Sequence, residues 1–165
     1  FLKFSSESLL AVCTELSSEE ARRELHLRIA SSIKTPRTYL QKVVVAHHCL
    51  AGGRADARTA HFLQDVALSA KLREEYDTAL VLSLTGIGLL GELGISCEEP
   101  GDDHVGCLLT FLEIVSVCYS KRLQPRRALE VCKRGVLLAA GRDDEAYRRL
   151  RAIEGQMLAN AYQFD

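Results

Sequence analysis

Apolar side chains recur along this chain at three- and four-residue intervals, the spacing that places them on one face of an α-helix. Ser5 to Leu16 is a short amphipathic stretch, and Ser17-Ser18-Glu19-Glu20 then supplies a Ser-x-x-Glu capping box. Ala21, Leu25, Ile29 and Ile33 follow every four residues with Arg22, Arg23, Glu24 and Arg28 between them, which predicts a helix with one buried face. Thr35-Pro36 is a further start signal, leading through Tyr39, Leu40, Val43, Val44 and Leu50 to the break at Gly52-Gly53. Val43-Val44-Val45 has the composition of a strand core, but its flanks favour a helix. From Ala55, the positions Ala60, Leu63, Val66, Ala67 and Ala70 keep the helical period. A turn around Leu72 to Glu74 precedes a helix over Thr78 to Gly91.

Gly94, Pro100 and Gly101 mark a loop, acidic at Glu98, Glu99, Asp102 and Asp103, and its acidic end suits a helix N-terminus. The helix that follows, Asp103 to Lys121, is the most apolar: between Cys107 and Tyr119 its polar side chains are Thr110, Glu113 and Ser116, a narrow stripe spaced by three. Pro125 opens another helix that Gly141 closes, and Asp143 caps a last one from Asp144 to Tyr162. The expected fold is all-α, with seven or eight helices joined by mostly short turns into antiparallel hairpins that stack as one domain over residues 1–165.

The stretch Gln124 to Gly141 echoes one 49 residues upstream, placing Ala128 on Ala79, Leu129 on Leu80, Gly135 on Gly86 and Val136 on Ile87. Small residues seven apart share one helix face and let a neighbouring helix approach closely. The pattern resembles the tetratricopeptide repeat. That family's first helix carries large residues at its fourth and seventh positions, a small one at the eighth and an aromatic at the eleventh. Its second helix carries small, medium and small residues at the twentieth, twenty-fourth and twenty-seventh. Ala128 at the twentieth gives Leu112, Val115, Ser116, Tyr119, Cys132 and Gly135, and Ala79 there gives Leu63, Val66, Ala67, Ala70, Ser83 and Gly86. A third first helix matches at Leu158, Ala159 and Tyr162. The spacings are 49 and about 43 residues, against ~34 in the family.

The resemblance implies a superhelix of hairpins that holds a peptide or helix of another protein in a groove, with no catalysis and no cofactor or metal. The family's second, fifth, ninth and twelfth first-helix positions line that groove. They map to His61, Gln64, Leu68 and Lys71, then Thr110, Glu113, Val117 and Ser120, then Ile153, Gln156, Asn160 and Gln163. The family's basic clamp on a peptide carboxylate has no counterpart at Gln64, Leu68, Glu113 and Val117, which argues against a chaperone-tail receptor.

Composition adds three points. The chain has 165 residues, 47% of them hydrophobic and 26% charged, enough for a core without disulfides, and no uncharged run reaches the roughly 20 apolar residues of a membrane span. Six cysteines without a CxxC pair, and no signal peptide, favour the cytosol or nucleus. Starting at Phe1, the chain reads as a domain of a longer protein. The net charge of −1 hides a basic end: Lys121 to Arg151 holds ten Lys/Arg against four Asp/Glu. Arg126, Arg127, Arg148 and Arg149 could meet an acidic segment of a partner, whereas poor aromatic interleaving and the absence of Trp argue against nucleic acid.

Two motifs invite other chemistry. Gly86-x-Gly88-x-x-Gly91 spells a dinucleotide fingerprint after Ala79 to Leu84, which would make an α/β nucleotide-binding enzyme if that run were a strand; a helical nucleic-acid adaptor using the Arg-rich end is the other alternative. His47-His48-Cys49 suggests a metal or thiol site, but neighbours on a helix point about 100° apart. No second ligand cluster stands at suitable spacing, which leaves a half-buried histidine near a helix end.

Overall fold

The computed structural model describes residues 18–54, 56–93 and 102–161; Ser5 to Leu16 and the acidic loop lie outside them. Every regular element among the described residues is an α-helix: α1 (Glu19–Ser32), α2 (Tyr39–Ala51), α3 (Ala57–Leu72), α4 (Tyr76–Glu92), α5 (Asp102–Lys121), α6 (Pro125–Ala139) and α7 (Asp144–Ala161). The chain divides into two compact units, residues 1–54 with α1 and α2, and 55–165 with α3 to α7.

In the first unit α1 packs on α2. Ser18, one residue later than the capping box predicts, accepts the amide of Ala21. The start of α2 is also displaced, from Thr35-Pro36 to Thr38. Proline holds the residue before it in extended backbone, and Thr38 has a better partner: its hydroxyl accepts the Gln41 amide while Gln41 Oε1 accepts those of Thr38 and Arg37. The buried face of α1 is rotated from the predicted one. Of the predicted set Ile29 and Ile33 are half-buried but Ala21 and Leu25 are exposed, whereas Ala30 is buried and His26 and Leu27 are half-buried. The turn after α2 fixes that rotation, because Leu27 lies where a Cβ on Gly52 would stand, 2.7 Å from its Cγ and Cδ2.

In the second unit α5 is the central helix, in contact with each of the other four. Consecutive helices pack as antiparallel neighbours, and α3 and α7 each also touch α5, so α3, α5 and α7 form one layer. The 49-residue echo reappears in the backbone. The α3–α4 turn places Glu74 at φ 62° and the α5–α6 turn places Leu123 at φ 56°. Each turn is closed by the same bonds: Glu75 N to Ala70 O and Glu74 N to Lys71 O in the first, Gln124 N to Tyr119 O and Leu123 N to Ser120 O in the second. These are left-handed caps that tie off the last carbonyls of the first helix in each hairpin.

The glycines of the echo are spacers. A Cβ on Gly86 would stand 2.8 Å from Phe111 Cε1, 2.5 Å from Cε2 and nearer still to Cζ; one on Gly135 would stand 3.0 Å from Leu150 Cδ1. Gly86 thereby lets α4 approach the fully buried Phe111 of α5, and Gly135 does the same for α6 against α7. Leu63, Val66, Ala67, Ala70, Leu112, Val115 and Ser116 are all buried, as the repeat pattern requires of first-helix positions, and Tyr119 is half-buried. The third match fares differently: Leu158 and Ala159 are exposed, and α7 buries Ala146, Leu150, Glu154 and Met157 instead.

By length and composition, His104–Lys121 is a helix long and apolar enough to cross a membrane, although no uncharged run suggests one. Its residues are mostly buried in the unit, and its apolarity is that of a central core helix. Cys107, Cys118 and Cys132 are buried within this core, and burial pushes each thiol up to about 11. At Cys132 the thiol donates to Leu150 O, 3.1 Å away.

Candidate functional site

The layer of α3, α5 and α7 carries the positions that the repeat pattern assigns to a groove. Two polar ladders run across it. In the first, Gln64 Nε2 donates to Thr110 Oγ1 at 3.0 Å, that hydroxyl donates to Gly106 O at 2.9 Å, and the exposed His61 lies 3.3 Å from Gln64 Oε1. In the second, Glu113 accepts Lys71 Nζ on one oxygen and Arg149 Nε on the other, each at 3.0 Å. Arg149 also holds Glu145 at 2.7 Å, one turn back on its own helix.

The two ladders follow the same order along both helices, Gln64 before Lys71 on α3 and Thr110 before Glu113 on α5, as parallel neighbours require. The Glu113 side chain is only 16% exposed and that of Lys71 20%, so this pair is shielded from water more than an ordinary surface bridge. The hydrogen bond that Arg149 donates to Glu113 holds its guanidinium above its already high ordinary value. Glu113 therefore joins three helices. The polar stripe of α5 divides accordingly: Thr110 and Glu113 bridge to neighbours, while Ser116 is buried and donates to Leu112 O in its own helix.

Between and beside the ladders sit apolar side chains: Leu68 exposed on α3, Val117 half-buried on α5 and Ile153 half-buried on α7. Ser120 is half-buried and Gln156 exposed. The side chain of Asn160, and Gln163 altogether, lie outside the described residues. Arg149 belongs to this layer although the repeat pattern does not mark it; a cation a helix away from a lone acidic residue in an apolar run was the available signal.

The basic residues are dispersed. Arg126 and Arg127 stand exposed at the start of α6, where Arg127 lies over the Tyr119 ring at 5.9 Å. Arg148 donates to Asp144 O within α7, and Arg149 is taken up by Glu113 and Glu145. Gly86, Gly88 and Gly91 all lie inside α4 together with Ala79 to Leu84. The strand, turn and helix N-terminus that a dinucleotide fingerprint needs are thus not formed there. Comparison with family models, curated proteins and solved structures found no match.

Proposed function

We propose that the second unit is a non-enzymatic protein-interaction module, a tetratricopeptide-like array whose α3, α5 and α7 receive a helix or extended segment of a partner. The observation that carries this reading is one apolar side chain from each helix of the layer, Leu68, Val117 and Ile153, set among polar groups that already satisfy one another. Apolar side chains that can take the anchors of a partner helix, with polar groups around them to fix register, are what a helix-in-groove surface offers. Because Lys71, Glu113 and Arg149 hold the layer together, the partner's contacts fall on Leu68, Val117, Ser120, Ile153 and Gln156, with His61 and Gln64 at one end. Arg126, Arg127 and Arg148 suit acidic residues at the rim.

Selection of binders from a displayed peptide library, followed by amide shift mapping, tests the assignment. Shifts concentrated on α3, α5 and α7, and at least a tenfold affinity loss for Leu68→Glu (about 1.4 kcal/mol), are expected. Binding that maps to the exposed side of α6 and survives Leu68→Glu would refute the groove.

A further inference from the structure

The first unit holds a cluster that the sequence pattern does not reveal. His26 of α1 reaches the pair His47-His48 of α2, and its Nδ1 lies 2.7 Å from His48 Nδ1. The ring centroids are 4.9 Å apart for His26 and His48, 5.2 Å for His47 and His48, and 6.0 Å for His26 and His47. One nitrogen from each ring can be chosen so that all three lie within 4.8 Å of one another.

We infer that His26, His47 and His48 form a binding site for a divalent transition-metal ion of the zinc class, with water in the remaining coordination position. Zinc binds imidazole nitrogen at roughly 2.0–2.1 Å in a tetrahedron, so its ligand nitrogens stand roughly 3.3 Å apart. The closest pair, His26 Nδ1 and His48 Nδ1 at 2.7 Å, must open slightly, and the ceiling of 4.8 Å on the set of three leaves small ring rotations to bring the rest onto that value. Half-exposed imidazoles at the ends of two rotatable bonds make both movements without disturbing the helices. The adjacency of His47 and His48 does not prevent convergence, since His26 approaches from the facing helix and occupies the wedge between them.

The donor set decides the class of ion. Three imidazoles without a carboxylate suit zinc, copper or nickel and reject calcium and magnesium, which take oxygen ligands. His47 is exposed, and a surface depression of about 410 Å³ borders His26, lined by Glu19, Arg22, Arg23, Leu50, Ala51 and Gly53. Water reaches the cluster from these sides. Glu19 is held by Arg23 at 2.5 Å and leaves the fourth position to solvent.

Such an ion would clamp α1 to α2 where the apolar contact is thin, since Ala30 is the one buried side chain of α1. Free energy of metal binding then becomes stability of that hairpin.

The test is titration of the full chain with Zn²⁺ against a chromophoric chelator, repeated with Co²⁺ to read the ligands from the spectrum. One ion per chain is expected, with affinity falling about tenfold or more in His47→Gln and in His26→Gln. The cobalt spectrum should show tetrahedral d–d bands without the near-ultraviolet thiolate charge-transfer band. His47→Gln alters an exposed side chain, and an unchanged far-ultraviolet circular dichroism spectrum separates loss of the site from loss of the fold. The proposal is overturned by no uptake at micromolar Zn²⁺, by equal uptake in the triple His→Gln variant, or by a thiolate band that places the ion on cysteine.

Discussion

Two glycines in α4, only two residues apart, should respond to the same substitution with opposite signs. Alanine is the better helix former by about 0.8–1.0 kcal/mol in an exposed helix interior. At Gly88 nothing lies within 4 Å of the added Cβ, so Gly88→Ala should stabilise by most of that amount. At Gly86 the Cβ would fall 2.5 Å from Phe111 Cε2, about 1 Å short of the normal carbon contact of about 3.5 Å. The obstacle is a rigid ring in a fully buried position of the central helix, not the free end of a flexible chain. Overpacking of this kind costs about 1–3 kcal/mol, so the net effect of Gly86→Ala is a loss of up to about 2 kcal/mol after the propensity gain. In a chain of this size each kcal/mol moves the melting temperature by about 2–4 °C.

Urea denaturation read by circular dichroism, with wild type, both single variants, Phe111→Leu and the double variant Gly86→Ala/Phe111→Leu, completes the test. The smaller leucine should relieve the clash, giving a coupling of about 1 kcal/mol or more between positions 86 and 111 and none between 88 and 111. If Gly86→Ala stabilised as Gly88→Ala does, the spacer role of Gly86 and the α4–α5 packing built on it would be wrong.

Two further outcomes follow from the same unit. Glu113→Ala leaves Lys71 and Arg149 without their shared acceptor in a half-buried layer, and should cost about 1–3 kcal/mol in denaturant melts; the Lys71→Met/Glu113→Met double variant should recover part of that loss, and an unchanged midpoint for Glu113→Ala would show that the bridges contribute nothing. Leu123 is a non-glycine residue in left-handed backbone with an 88% exposed side chain, so Leu123→Gly should stabilise by about 1 kcal/mol by releasing that strain, whereas Leu123→Val should destabilise.

Much of this architecture was legible from residue spacing. The alignment of Ala79 and Gly86 with Ala128 and Gly135 located both close helix contacts, and it carries over to the turns, where Glu74 and Leu123 share one conformation. Pro125 and Asp143 marked helix starts because each acts through its own backbone or its immediate neighbours. Features that depend on how one helix is rotated against another were not legible. Of the i, i+4 set Ala21, Leu25, Ile29 and Ile33 only the second half is covered, because contact of Leu27 with the turn at Gly52 turns the first half of α1 outward. That rotation is also what carries His26 to His47 and His48, so spacing along the chain could not join them. Likewise the groove positions came from the repeat pattern, but the engagement of Glu113 by Lys71 and Arg149 depends on the reach of long side chains across two helix contacts.

The most direct measurement of the central claim is the proton spectrum of Gly86. Seated against the face of the Phe111 ring, its α-protons should be shifted well upfield by the ring current and should show nuclear Overhauser effects to the Phe111 ring protons. α-Protons in the ordinary range for a helical glycine, with no cross-peak to that ring, would contradict the packing from which the whole second unit is built.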